Sequence, residues 1–540
     1  MAHPTTALVI DSPAMQPRDR EQARAAGTAF DSTASVESLW GDYLSLVAAQ
    51  AAFAVSTLAG LALCARLLGP AGYGTVVLFM MVVQLCFIGG TKWCFPAVMR
   101  FAREALVLAG RAGEVVWSWS LLFLVAVVAC SLGLLAASRG VRTLVGSDNP
   151  PVELYLAVFV LTALSMAGVQ LLQTQGRMKT AAWAPVAGKC LLILLLAGLA
   201  FASPWTMTPT TVVACVAAAL TVQSVLSLAA VNPPLLRPVT VDWNVLRRLA
   251  RYSLPLWAAC VAGYLCEWVD LYFLRAFRGH ADVGIYQIAY QVFLFLAGAL
   301  AGLYTLLFPV LTAWVAEGHQ ERVHRYADRF IPQVSVLWGL LLLLLGGMQR
   351  PGFSLVFGAA FTGSQHAFAL LLAGLAFQPI LVLYGTLLLS QDRPRENARV
   401  MLMMAALNVL GDIVLVPRWG MAGAALSTVT SLAVAALLCW RWSHRRLPFK
   451  RPAAVIASSL VAGALLAMAL LDSRLTWLVV AGSAAVLVWW ARAARLFSKA
   501  DLSMLDYVRC PPWAKSLLAK VYAVFFAPGP WRATDRKSVV

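Results

Sequence analysis

Long apolar runs, rather than short alternating stretches, organise this chain. Fourteen of them lie near 43–65, 75–97, 115–137, 152–174, 181–203, 209–231, 252–274, 283–315, 331–349, 366–390, 398–416, 421–440, 452–471 and 475–491. Most are close to the ~20 residues that a helix needs to cross a ~30 Å hydrocarbon core. Lipid offers no partner for exposed backbone N–H and C=O groups, and the runs lack the two-residue alternation of barrel strands. Each run therefore predicts a transmembrane helix. The expected fold is all-α, a polytopic membrane protein with about 14 transmembrane helices.

Charge then orients the spans. Composition leaves little for a soluble core, with 61% of residues hydrophobic and 12% charged. Of the 42 Lys and Arg residues, eight fall on one side of the predicted membrane: Arg66, Arg139, Arg142, Arg275, Arg278, Arg350, Arg418 and Arg474. Lys189 lies inside a run, and the remaining 33 fall on the other side. Basic residues are retained in the cytoplasm, so both termini are expected there. The net charge of +18 suits an anionic inner leaflet, with clusters such as Arg441, Arg445, Arg446, Lys450 and Arg451, and calls for no nucleic acid.

The tails and cysteines add little chemistry. Residues 1–38 are rich in Ser, Thr, Pro and mixed charge, which predicts a disordered cytoplasmic tail and not a signal peptide. In the tail 498–540, Trp513 to Phe526 reads as an interfacial helix or a partner-docking segment. The ten Cys residues form no CxxC pair, so neither a disulfide framework nor a metal site is expected.

A weak repeat divides the spans. Gly69, Ala71 and Gly74 fall on Gly279, Ala281 and Gly284 at a shift of 210 residues. Leu171, Leu172, Gln175 and Arg177 fall on Leu387, Leu388, Gln391 and Arg393 at a shift of 216. Six spans return the chain to the same side, which predicts two six-helix lobes, 39–237 and 238–449, in a parallel pseudo-twofold repeat. Such repeats are one design of alternating-access transporters. A C-terminal helix pair, 450–497, lies outside the repeat, as a lipid-tail groove or a packing accessory.

The motifs RLLGPAGYG at 66–74, DLYFL at 270–274, VGIYQIAY at 283–290, FPVL at 308–311, LSQDR at 389–393 and PRWGMAGAA at 417–425 occur in this order. Together they resemble the polysaccharide synthase family of flippases, within the multidrug/oligosaccharidyl-lipid/polysaccharide exporter superfamily. The resemblance implies a flippase that moves polyprenyl diphosphate-linked oligosaccharide across the inner membrane for exopolysaccharide, capsule or O-antigen biosynthesis. Its partners would be the lipid-linked oligosaccharide, membrane lipids, and polysaccharide polymerase and export machinery. The rival readings are a lipid II flippase, a drug exporter of the same superfamily, and an enzyme, a membrane polysaccharide polymerase or ligase. An enzyme of that kind would carry a sizeable outer loop with Arg or His, whereas the outer segments here reach only about 15 residues.

Candidate residues follow from charge inside the spans, where an ionisable group is a functional candidate. Lys189, about eight residues into the fifth span, could bind substrate phosphate, form a structural ion pair or snorkel to the interface. Lys92, Arg100, Arg248 and Arg251 at the inner mouth could capture a diphosphate or simply anchor the topology. Glu267 and Asp270 share a helix face and are ion-coupling candidates, with Asp270 favoured as a structural tie to an outer loop. Asp412, one turn after Asn408, could line the cavity or cap a distortion near Pro417. Gln287, Tyr290 and Gln291 suit sugar hydroxyls or helix-to-helix hydrogen bonds. No Gly-x-x-x-x-Gly-Lys-Ser/Thr loop, His-Glu-x-x-His or Gly-x-Ser-x-Gly occurs, so an enzyme is not expected, no cofactor is called for, and energy would come from a gradient, the membrane potential or product consumption.

Overall fold

The structure is a computed structural model that describes residues 36–146, 150–202, 207–447, 452–470 and 475–497, together with Lys520 and Phe525. Most of the expected N-terminal tail, and the Trp513 to Phe526 segment apart from Lys520 and Phe525, lie outside the described residues. Among the described residues there is no strand. The protein is all-α and crosses a membrane many times.

Helix α1, Val36–Gln84, runs into a π-helical segment, Leu85–Thr91, a short 3₁₀ turn, Lys92–Cys94, and α2, Phe95–Ala109. Then come α3 (Gly113–Ala136), α4 (Ser138–Val145), α5 (Val152–Thr174), α6 (Met178–Ala202), α7 (Pro209–Ala229), α8 (Trp243–Phe277) and α9 (His280–Ala316). A short α10 (Gln320–Arg325) and a second π segment (Tyr326–Phe330) lead into α11 (Ile331–Phe357). The rest is α12 (Ser364–Leu375), α13 (Gln378–Ser390), α14 (Pro394–Trp419), α15 (Met421–Arg446), α16 (Ala453–Leu470) and α17 (Thr476–Ala493).

Thirteen helical stretches among the described residues are long and apolar enough to cross a membrane. The longest, Ala48–Leu106, holds two of the fourteen expected runs. What separates them is Gly69, whose φ of 66° and ψ of 179° break α1 ahead of Pro70. Only glycine enters that region without a steric penalty from a Cβ.

The chain packs as two compact units, Met1–Trp268 and Val269–Val540, and the division falls inside α8. In the first, α1 packs on α6 and α5 on α7. Gly168 of α5 sits against Ser227 of α7, and Gly188 of α6 against Gln223. Small residues let helix backbones approach closely where lipid supplies no hydrophobic drive for association. In the second unit α14 packs on α15, and α12 on both α9 and α15. The helix pair α16–α17 belongs to this unit, where α11 contacts both helices and α12 contacts α16. Gly339 and Gly346 of α11 meet Val461 and Leu465 of α16, and Gly347 meets Trp477 of α17.

The two positions that the sequence aligned after the fourth and tenth spans end their helices alike. At the end of α5, Arg177 N donates to Leu172 O at 2.9 Å and Gly176 N to Gln173 O at 3.0 Å. At the end of α13, Arg393 N donates to Leu388 O at 3.0 Å and Asp392 N to Leu389 O at 3.1 Å. Both are Schellman caps with a left-handed residue at the turn, Gly176 at φ 77° and Asp392 at φ 58°. The first anchor keeps its left-handed glycines too, Gly69 at φ 66° and Gly279 at φ 107°.

Candidate functional site

Side chains from four helices surround two buried carboxylates in the second unit. Asp270 is 2% exposed on α8 and Asp412 is fully buried on α14, close enough to hydrogen-bond to each other if they share a proton. Asp270 Oδ2 accepts from Tyr286 Oη of α9 at 2.5 Å and from Thr428 Oγ1 of α15 at 3.3 Å. Ser427 Oγ of α15 donates to Asn408 O at 2.7 Å, and the Asn408 amide lies 3.4 Å from both Ser427 Oγ and Thr428 Oγ1. This close approach of α14 and α15 is possible because Gly411 has no Cβ to meet Ser427.

Four acceptor oxygens of the cluster, Asp270 Oδ1, Asp412 Oδ1 and Oδ2 and Asn408 Oδ1, are buried without a donor among the described residues. Burying even one carboxylate without a partner is strongly unfavourable, and two facing each other cannot both stay ionised without a counter-charge. A proton or a small hard cation satisfies both demands, since every ligand atom offered is oxygen.

The structure corrects one expectation here. Asp270 is not tied to an outer loop; its partners are Tyr286, Thr428 and Asp412, all inside the helix bundle. Asp412 joins that cluster instead of capping a distortion near Pro417. Gln287 and Tyr290 are packed in the interior at 3% and 5% exposure, Tyr290 against Tyr286 with ring centroids 5.8 Å apart, while Gln291 is half-buried. Tyr286, Ser427 and Thr428 were missed by sequence reasoning.

The cations of the first unit fall into separate groups. Lys189 is half-buried on α6, its Nζ 6.0 Å from the Phe53 ring of α1, with Cys64 in its electrostatic reach. No carboxylate lies within 4.0 Å of it among the described residues. Arg100 lies 5.1 Å from the Tyr252 ring and Arg248 4.5 Å from the Phe101 ring, so both guanidinium groups are ordered on aromatic faces. The Arg248–Glu104 pair at 4.0 Å is exposed and adds little. Arg251 is exposed.

Lys92 sits in the break of the second span, near enough to Glu267 of α8 for mutual attraction. Around this break, Trp257 Nε1 donates to Gly89 O at 2.8 Å, Trp93 Nε1 to Gly90 O at 2.6 Å and Trp119 Nε1 to Cys94 O at 3.0 Å. Indole donors thus take up carbonyls at a place where regular helical bonding is interrupted.

With this geometry in view, comparison with known proteins decides the family. Residues 39–314, just over half of the chain, match the family described as "Polysaccharide biosynthesis protein". The chain belongs to that family. Two relatives from Haloferax volcanii are similar to it: the probable low-salt glycan biosynthesis flippase Agl15, 23% identical over 216 residues, and the probable flippase AglR, 23% identical over 211 residues. The matches cover 39% and 38% of this chain and 44% and 43% of those relatives, under half of their length. Among solved structures, the lipid II flippase MurJ in an inward closed conformation superposes with a TM-score of 0.64 at 13% identity, covering 82% of this chain and 97% of that one. An inward-facing MATE family multidrug resistance transporter of the MOP superfamily gives a TM-score of 0.52 at 17% identity, covering 74% and 94%. This chain thus shares its fold with these two transporters.

Proposed function

We propose that this protein is a flippase that carries polyprenyl diphosphate-linked oligosaccharide from the cytoplasmic to the outer leaflet of an inner membrane, supplying exopolysaccharide, capsule or O-antigen assembly. Family membership across residues 39–314 carries the reading, and the two relatives printed as flippases agree with it. Lys189 is the phosphate-facing candidate in the first unit, a cation inside a span with no carboxylate partner among the described residues. The Asp270–Asp412 pair is the coupling site, alternately holding and releasing a proton or monovalent cation. Its oxygen-only, doubly acidic lining supports that role.

The test is accumulation of cytoplasm-facing lipid-linked oligosaccharide in cells that depend on Asp412→Asn or Lys189→Ala protein at wild-type abundance. Asp412→Asn is expected to slow translocation at least about tenfold, a loss of about 1.4 kcal/mol or more in coupling, and to abolish its response to the cation gradient. Lys189→Ala is expected to raise the cytoplasm-facing pool while keeping that response. Normal export by both variants would remove the reading. Lipid II shares the polyprenyl diphosphate, so supplying either lipid to the same assay separates the cargoes.

A further inference from the structure

Apart from the carboxylate pair, the second unit holds an open cavity of about 850 Å³. It is lined where α10 meets the second π segment, where α16 begins at Ala453 and where α17 ends at Ala493. All three places are ends of membrane-spanning stretches, the level at which lipid headgroups lie. The charge bias of the sequence assigns that end to the cytoplasm.

The lining is basic. Arg325, Arg329, Arg495 and His324 share it with Glu321 and Asp328, which leaves it net positive even with a neutral histidine. Among the described residues no carboxylate pairs with Arg325 or Arg495 within 4.0 Å. A guanidinium is a planar fork that meets two phosphate oxygens at once, which an ammonium cannot do. Ala453 begins α16, so the first-turn amides of that helix add a partial positive charge at the same wall.

The walls are also braced. Tyr326 Oη donates to Leu383 O at 3.3 Å, and Tyr384 Oη donates to Ala327 O at 3.2 Å, a reciprocal clasp that pins the π segment to α13. That segment carries Asp328 and Arg329 into the lining. On the opposite side, Arg495 takes the left-handed position of a Schellman cap that closes α17, at φ 51°, with Leu496 N donating to Ala491 O at 3.1 Å and Arg495 N to Arg492 O at 3.0 Å. Here the buried Gln333 donates from Nε2 to Leu496 O at 2.8 Å, fixing the turn that holds Arg495. A cavity with braced walls, three arginines in its lining and the volume of a small-molecule site is suited to binding.

We propose that this cavity binds a phosphate-bearing anion, with Arg325, Arg329 and Arg495 as its ligands and the headgroup of an anionic phospholipid in the cytoplasmic leaflet as its source. Basic pockets between spans on this side of a membrane are suited to such headgroups. The site is independent of the cargo and of the coupling carboxylates.

Native mass spectrometry of the full-length protein in detergent tests this, with phosphatidylglycerol, phosphatidylcholine or inorganic phosphate added. The wild type is expected to retain phosphatidylglycerol about tenfold more than phosphatidylcholine, and an Arg325→Gln/Arg329→Gln/Arg495→Gln variant to lose that preference. An unchanged lipid-free melting temperature establishes that the variant is folded. If the triple variant does not fold, Arg325→Gln alone, at an exposed position, is read in the same way with a smaller loss. Equal retention of phosphatidylglycerol by variant and wild type, or equal retention of both lipids by the wild type, overturns the proposal. Displacement of phosphatidylglycerol by inorganic phosphate would assign the cavity to free phosphate and overturn the lipid as its source.

Discussion

Tyr286 makes the shortest contact in the carboxylate cluster, 2.5 Å to Asp270 Oδ2, whereas Thr428 stands 3.3 Å from the same oxygen. Tyr286→Phe is therefore expected to lower unfolding stability in detergent by about 2 kcal/mol, the scale of a hydrogen bond to a charged acceptor, and Thr428→Val by less. Thermal unfolding of the two purified variants checks the order. The carboxylates themselves were legible in the sequence, because Asp270 and Asp412 are rare ionisable residues inside apolar runs. Tyr286 was not. It lies in the 283–290 motif beside Gln287 and Tyr290, and α9 is apolar on most faces, so the sequence does not show which face turns toward Asp270. Only the packed structure distinguishes Tyr286 from its neighbours.

The Schellman caps that close α5 and α13 make a comparison within one chain. Asp392 holds in the second copy the left-handed position that Gly176 holds in the first. Gly176→Asp is accordingly expected to fold with little loss, its new Cβ meeting the Arg103 guanidinium at 3.2 Å, a partner of favourable charge. Gly176→Val has no such compensation and is expected to lose about 1–2 kcal/mol. Melting temperatures of the two variants separate these outcomes, and equal losses would contradict the comparison. The caps were readable as matched letters, Leu-Leu-x-x-Gln-x-Arg, because a cap is local and its residues are adjacent. The π segments were not readable. Leu85–Thr91 and Tyr326–Phe330 depart from α geometry through one extra residue per turn, a change that leaves an apolar run equally apolar.

For the whole molecule, the apolar runs set most of the span limits, since hydrocarbon thickness acts on every span alike. The exception is instructive. The first two spans form one helical stretch broken at Gly69, so a boundary that the sequence placed in a loop is a single residue of backbone conformation. Sidedness rests on the distribution of Lys and Arg, and it leads to a direct expectation. A reporter that is active only in the cytoplasm is expected to work when fused after Val540 and to fail after Gly146; the reverse would invert the topology. The left-handed caps carry a consequence for the loops. The same turn closes α5, α9, α13 and α17, at Gly176, Gly318, Asp392 and Arg495. By the distribution of Lys and Arg all four ends face the cytoplasm, so on that side these spans stop within two residues by backbone geometry, with no long connecting segment needed to turn the chain.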